Sequence, residues 1–155
     1  MNSGLTVDIR AEQFLARLAG ASDRLDANML RVVTRLSIEV QAGVKDKLTG
    51  QVLHVRTGTL RRSINRKVEQ SSGTTEATIG TNVVYAEPHE FGFDGQVEVR
   101  AHTRQMPSAG VANVRAHTRQ MHVKESSFLR STLKDFQPRI VREIREAAVG
   151  ALTAS

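Results

Sequence analysis

The sequence predicts an α+β fold: a long N-terminal helix and a C-terminal helix packed on a small antiparallel sheet, with a projecting β-hairpin. Three observations lead there. Apolar residues recur at three- and four-residue intervals through Leu25, Met29, Val33, Leu36, Val40, Val44 and Leu48, and a narrower stripe runs from Ile140 to Ala151. Between these stripes lie short, turn-punctuated segments with strand character. Finally, the octapeptide VRAHTRQM occurs twice, at Val99–Met106 and Val114–Met121, flanking Pro107-Ser108-Ala109-Gly110. Two identical extended segments around a turn predict a hairpin.

Taken in order, Leu5, Val7 and Ile9 alternate as in a short strand, and a short helical stretch follows over Ala11–Ala19. Gly20 predicts a stop, after which Ser22 or Asp23 caps the long helix to about Leu48. Leu30, Val32 and Ile38 widen its apolar face, so it should pack on two sides, and Gly43 weakens it locally. Thr49-Gly50 ends the helix and a loop runs over Gln51–Arg56. Thr57-Gly58-Thr59 forms a turn or N-cap before Leu60–Ile64. Strands are expected at Ile64–Glu69 and Thr75–Thr81, an extended continuation at Asn82–Tyr85, and a glycine-punctuated loop at Phe91–Gly95. At the C-terminal end, Ser126 is placed to cap a helix over Phe128–Phe136, and Pro138 to open a final one to about Leu152.

The 155 residues suit a single domain. Only 4% of them are aromatic, so the core rests on aliphatic side chains, and association of subunits is a common remedy for so slight a core. With no Cys there is no disulfide, thiolate metal site or cysteine nucleophile. No secretory leader or membrane-spanning apolar run is recognisable, so synthesis in the cytoplasm and no membrane partner are expected. Charge is segregated: residues 74–98 hold five acids and no Lys or Arg, whereas residues 99–122 hold four Arg and no acid. Such blocks suit head-to-tail contacts between copies as well as a merely solvated surface.

Catalytic patterns are missing. His89-Glu90 lacks the second His four residues on that a zinc hydrolase needs, since position 93 is Phe. Five His (54, 89, 102, 117 and 122) could gather a metal, but the arginines beside His102 and His117 would repel a cation. No nucleophile elbow or phosphate-cradling glycine loop occurs. Neither enzyme activity nor a cofactor or metal is expected.

In the hairpin, a mirror register of the two octapeptides would set Arg100 opposite Arg119, His102 opposite His117, and Arg104 opposite Arg115. Like charges opposed across a ladder are unfavourable, and an isolated hairpin is marginal in water. The arm, residues 95–122, should therefore meet an acidic surface, either the Glu76–Glu98 stretch of a neighbouring copy or another protein. An alternative is nucleic acid, since a two-stranded ribbon can enter a major groove. A solvated hairpin with splayed arginines is the simplest reading.

Three blocks resemble a family, the tail-completion or head–tail joining proteins of long-tailed bacteriophages, also described as neck or minor tail morphogenesis proteins. Arg56–Ile64 (RTGTLRRSI) looks like its D-T-G-x-L-R-x-S-I element. Ile79–Ala86 with His89-Glu90-Phe91-Gly92 is similar to V-G-T-x-x-x-Y-A-x-x-H-E-F-G. Ser127-Phe128-Leu129-Arg130 resembles R-P-F-L-R. Order and spacing agree over roughly residues 20–150, with Arg56 in place of Asp and Ser127 in place of Pro. The resemblance implies a non-enzymatic virion protein, one tail-completion domain over residues 1–155. It would form a homo-oligomeric ring, a hexamer by analogy with six-fold tails, at the head-proximal end of the tail. Its partners would be copies of itself and other phage neck and tail proteins, with phage DNA close by in the lumen. On this reading Leu60 and Ile64 point to the core and Arg61 and Arg62 outward, while Tyr85 and Phe91 anchor the following loop. His89 and Glu90 pin that loop or meet a neighbour. These residues, with Arg100, His102, Arg104, Arg115, His117 and Arg119, are the expected subunit interface.

Overall fold

The computed structural model describes residues 11–51, 58–71, 73–106 and 110–153. The strand expected at Leu5–Ile9, the loop over residues 52–56, Thr57 and the hairpin connector over residues 107–109 lie outside the described residues. The architecture is α+β, with long N- and C-terminal helices and small antiparallel ladders.

Helix α1 runs unbroken over Ala11–Asp46. The stop expected at Gly20 and the cap expected at Ser22 or Asp23 do not occur. A helical glycine costs about 1 kcal/mol relative to alanine, whereas extending an existing helix needs no new nucleus. The end falls where the stripe predicts it. After a wider turn over Lys47–Gln51, the backbone leaves helical geometry at Thr49 (φ −93°, ψ 19°) and Gly50 (φ 118°, ψ −3°). Gly50 is in the left-handed region that glycine enters without steric cost.

A short helix α2, Thr59–Ser63, opens after Gly58 at φ 68°. It buries Leu60 and leaves Arg61 and Arg62 exposed. Strands β1 (Asn65–Ser71) and β2 (Thr74–Gly80) pair antiparallel, from Asn65 opposite Gly80 to Ser71 opposite Thr74. This hairpin lies on α1, where the Gln70 side chain donates to the Asp26 carbonyl and Gln41 to that of Ile64 (2.9 and 2.8 Å).

Two departures follow. Asn82–Tyr85 is not extended but folds into a turn, in which the Thr81 hydroxyl accepts from Val83 N and Val83 O from Ala86 N. The turn starts helix α3, Ala86–Phe91, across the segment expected to be irregular. Pro88 is no obstacle there, because in a first turn its missing N–H would have had no helical partner. Gly92 (φ 78°) ends α3, and the expected Phe91–Gly95 loop gives way to β3, Phe93–Val99. Gly95 is accommodated within that strand by Phe93, whose ring would lie 3.2 Å from an added Cβ.

The arm is built from β3, β4 (His102–Met106), β5 (Gly110–Val114) and β6 (His117–Val123). β3 pairs with β6 and β4 with β5.

Helix α4, Phe128–Thr153, is continuous, and Pro138 lies inside it instead of opening a separate helix. An interior proline costs about 3 kcal/mol. Here Pro138 faces solvent, while Phe136 and Ile140 on either side pack on the core. Burial of two such side chains stabilises by about 1.5–3 kcal/mol each when complete, enough to carry the helix across.

The core comprises Val40, Val44, Leu48, Leu60, Ile64, Ala86 and Phe128, with Ile79, Val83, Leu129, Phe136 and Ile140 against it. α1 thus packs on α4 and on the β1–β2 hairpin. Two-sided packing does not extend to Leu30 and Ile38, which are exposed. Gly43 is where α4 comes closest: a Cβ there would lie 3.0 Å from the Phe136 ring and 3.1 Å from the Thr132 methyl group. Gly43→Leu is therefore expected to cost about 1–3 kcal/mol by overpacking, measured as a loss of urea midpoint at constant m-value.

Ion pairs line the same seam. Arg139 bonds Glu143 (2.6 Å) and Glu39 (2.7 Å), Arg35 reaches Glu143, and Lys47 meets Asp135 (2.6 Å). The hydrogen bond from Arg139, then its charge and that of Arg35, hold the Glu143 carboxyl below its ordinary range despite partial desolvation. A lowered carboxyl pKa adds stability that is present above the unfolded value, about 4.3, and is lost as pH falls through the folded one. Stability should therefore decline on acidification below that point. Glu143→Gln should remove part of that decline in pH-dependent urea titrations; an unchanged slope would show that the seam does not contribute.

Candidate functional site

Two places in the chain concentrate the residues singled out from sequence: the junction of α3 with α4, and the arm.

At the junction, Glu90 is 3% exposed and belongs to the last turn of α3. Its carboxylate accepts from the backbone N–H groups of Leu129 and Arg130, both at 2.8 Å. These are the second and third residues of α4, the donors that an N-cap side chain ordinarily satisfies. Glu90 thus supplies from a distant helix the cap that Ser126 was expected to provide; the Ser126 N–H instead donates to His89 O (2.8 Å). A carboxylate at a helix N-terminus also gains from the helix dipole.

Arg130 closes the junction. Its Nε donates to Glu90 Oε1 (3.2 Å), and its Nη2 donates to the Glu90 carbonyl (2.9 Å) and to Glu125 (2.8 Å). The guanidinium lies 4.5 Å above the Phe91 ring, a cation–π contact. Tyr85 and His89 meet edge to face at 6.2 Å. Ser127 adopts φ 44°, a geometry closed to a proline, whose φ is locked near −65°. On the opposite side, Ser63 Oγ and Thr81 Oγ1 share a 2.6 Å hydrogen bond, joining α2 to the end of β2.

Beside the junction lies a groove of about 530 Å³. Val83, Val84 and Phe91 line it above Ala86 and Phe128, with Glu87 at its edge. Val84 is 90% exposed and Phe91 58%.

The arm differs from the expected mirror register. Val99 pairs with His117, and Val97 with Arg119, in the proximal ladder; His102 pairs with Val114, and Arg104 with Ala112, in the distal one. No arginine opposes arginine, and His102 and His117 stand in different ladders. The ladder closes with Met106 paired to Gly110, which takes φ 73°. A shift of three positions also separates the two octapeptides by face.

What the duplication does produce is a symmetric break in the ladder. In each copy the Val ends one ladder, Arg-Ala lies between ladders, and the His starts the next. His102 Nδ1 donates to Arg100 O and His117 Nδ1 to Arg115 O, each at 2.9 Å. The Val99–His117 and Val114–His102 pairs are therefore equivalent about a local two-fold axis.

Of the expected interface residues, Arg61, Arg62, Tyr85, Phe91, Arg100, His102, Arg104, Arg115, His117 and Arg119 are exposed; His89 is half-buried and Glu90 buried. Glu90 is committed to the α4 cap. The roles of Glu90 and Arg130 as partners were not apparent in the sequence, although their blocks were. No group of three or more His, Asp or Glu is placed to hold a metal among the described residues, and no helix among them is long and apolar enough to cross a membrane.

Glu90→Ala strands two helix N–H donors, each worth about 1–3 kcal/mol when left unsatisfied. A matching loss of stability in urea denaturation is expected, with Glu90→Gln losing less because one oxygen remains. Arg130→Ala should cost less than Glu90→Ala, since the arginine is half exposed to solvent. A Glu90→Ala loss below about 0.5 kcal/mol would contradict the cap.

No curated protein and no solved structure matches the chain. The family described as "Bacteriophage HK97-gp10, putative tail-component" does match, over residues 12–92, which is just over half of the chain and runs from α1 to the end of α3. The long helix, the β1–β2 hairpin and the Glu90 helix all fall within that span, and on this match the chain belongs to the HK97 gp10-like family of bacteriophage tail components.

Proposed function

We propose that the protein is a ring-forming tail-completion subunit, a connector in the neck at the head-proximal end of a phage tail. Its role is structural, and no catalytic step is assigned to it. The observation that carries this reading is the arm: a polar, basic, two-stranded extension with both faces of its distal ladder exposed, on a body of the tail-component family. A hairpin of that kind is poorly stabilised by itself and gains by association. Residues 1–155 act as one tail-completion domain, with residues 95–122 as its arm. The subunit interface draws on Arg61, Arg62, Tyr85 and Phe91 of the body and on the Arg and His residues of the arm. Six-fold tail symmetry favours a hexamer. The ring contacts other neck and tail proteins and surrounds the path of phage DNA.

Purified protein is expected to give a discrete oligomer by native mass spectrometry and ring-shaped particles by negative-stain electron microscopy, or to assemble as a ring on purified tails. A chain that stays monomeric at all concentrations and does not bind tails would overturn the proposal.

A further inference from the structure

The tip of the arm lacks the protection that exposed strands usually carry. Residues 105–114 contain no charged residue, in a chain that is 25% charged. Met106 and Val111 in that stretch are 40% and 63% exposed, on a ladder whose outer edges have no strand partner among the described residues. Soluble proteins ordinarily guard such edges with charges or cover them. Behind the tip the arm is basic: Arg100, Arg104, Arg115 and Arg119 are exposed, and none is in an ion pair with a described residue.

The body carries the complement. The groove beside α3 is apolar within, and Val84 and Phe91 stand open at its mouth. Its lining comes mainly from residues 80–91, which hold the exposed Glu87, the buried Glu90 and no Lys or Arg, with Phe128, Leu129 and Arg130 of α4 completing the wall. Its volume is in the range that takes up several side chains. An uncharged tip on a basic stem thus matches an apolar groove that carries the exposed Glu87 in its lining.

We propose that the arm tip of one copy docks in the Val84–Phe91 groove of a second copy, its arginines facing that copy's acidic segment. This rests on the ring reading and specifies its contact. Because arm and groove are different surfaces, the contact is head-to-tail, the kind that closes into a ring when the rotation between subunits allows.

The test uses two full-length variants at exposed positions. Val111→Asp disables the tip and keeps the groove; Val84→Arg disables the groove and keeps the tip. Circular dichroism confirms that each folds. Each alone should be monomeric, or need at least about tenfold higher concentration to associate. Mixed, they should give a one-to-one dimer and nothing larger, because only one productive contact remains. Either variant forming the wild-type ring at wild-type concentrations would overturn the arm–groove contact while leaving the ring reading intact. A mixture that stays monomeric would do the same. Wild-type protein that never associates, alone or on tails, would remove both.

Discussion

The carboxylate of Glu90 sits where parts of the chain far apart in sequence meet, and the shape of the body depends on how it is satisfied. It is buried, so it must find donors, and it finds them in the first turn of α4. The same two hydrogen bonds answer a second demand, since a helix N-terminus leaves four N–H groups without helical partners. One side chain therefore removes two costs, each comparable to a lost hydrogen bond. With α3 joined to α4 in this way, Phe128 is fully buried between Ala86 and the α1 stripe. Arg130 then lies over Phe91 and shapes the groove wall. The end of the segment that matches the family is thus tied directly to a helix that lies outside it.

The repeated octapeptide makes sense at the level of local geometry. Identical sequences adopt the same local arrangement twice, and the His side chain bonds back to the Arg carbonyl in both. Such local bonds compete with the strand ladder, and the ladder is interrupted at both places. Because each break falls opposite the other, the arm keeps one register from Phe93–Val123 to Met106–Gly110. The duplication therefore places matched breaks in the arm and does not build an arginine ladder. Within the repeats, each Arg or His paired in either ladder faces a small or apolar residue, and beyond them His122 faces Asp94, so like charges are not opposed.

Much of this was legible in the sequence where one periodicity acts alone. The stripe from Leu36 to Leu48 reads directly as the buried face of α1, and the family resemblance implies Leu60 and Ile64 as core residues. The β1 and β2 boundaries are predicted to within a few residues. The misreadings share a cause, in that a local signal was outweighed by tertiary packing. Gly20 and Pro138 are breakers by propensity, yet each lies in a helix whose burial elsewhere exceeds its cost. Ser126 is a good cap by type, but a buried carboxylate reaching from α3 makes the better one. The arm register is one that repeat symmetry does not reveal. The three motif blocks stood out individually; that Ser63 would bond Thr81, and Glu90 the backbone of Leu129 and Arg130, required the fold.

Charge distribution bears on how the arm can be open without being indiscriminate. A hairpin with exposed edges could pair with the same hairpin on another copy, the usual route to aggregation. Here two arms brought side by side would each present four arginines against the single acid Glu98. Repulsion acts over about a Debye length, roughly 8 Å at physiological salt, which is the range of strand-to-strand approach. On the body, Glu76 and Glu87 are exposed and of opposite sign, so the same charges that disfavour arm–arm pairing favour arm–body contact. The uncharged tip contributes no repulsion of its own, and its selectivity must come from the stem behind it. The paired breaks matter for this reason. By interrupting both strands at the same point, they leave Arg100 and Arg115 outside either ladder, where they can turn toward an acidic partner.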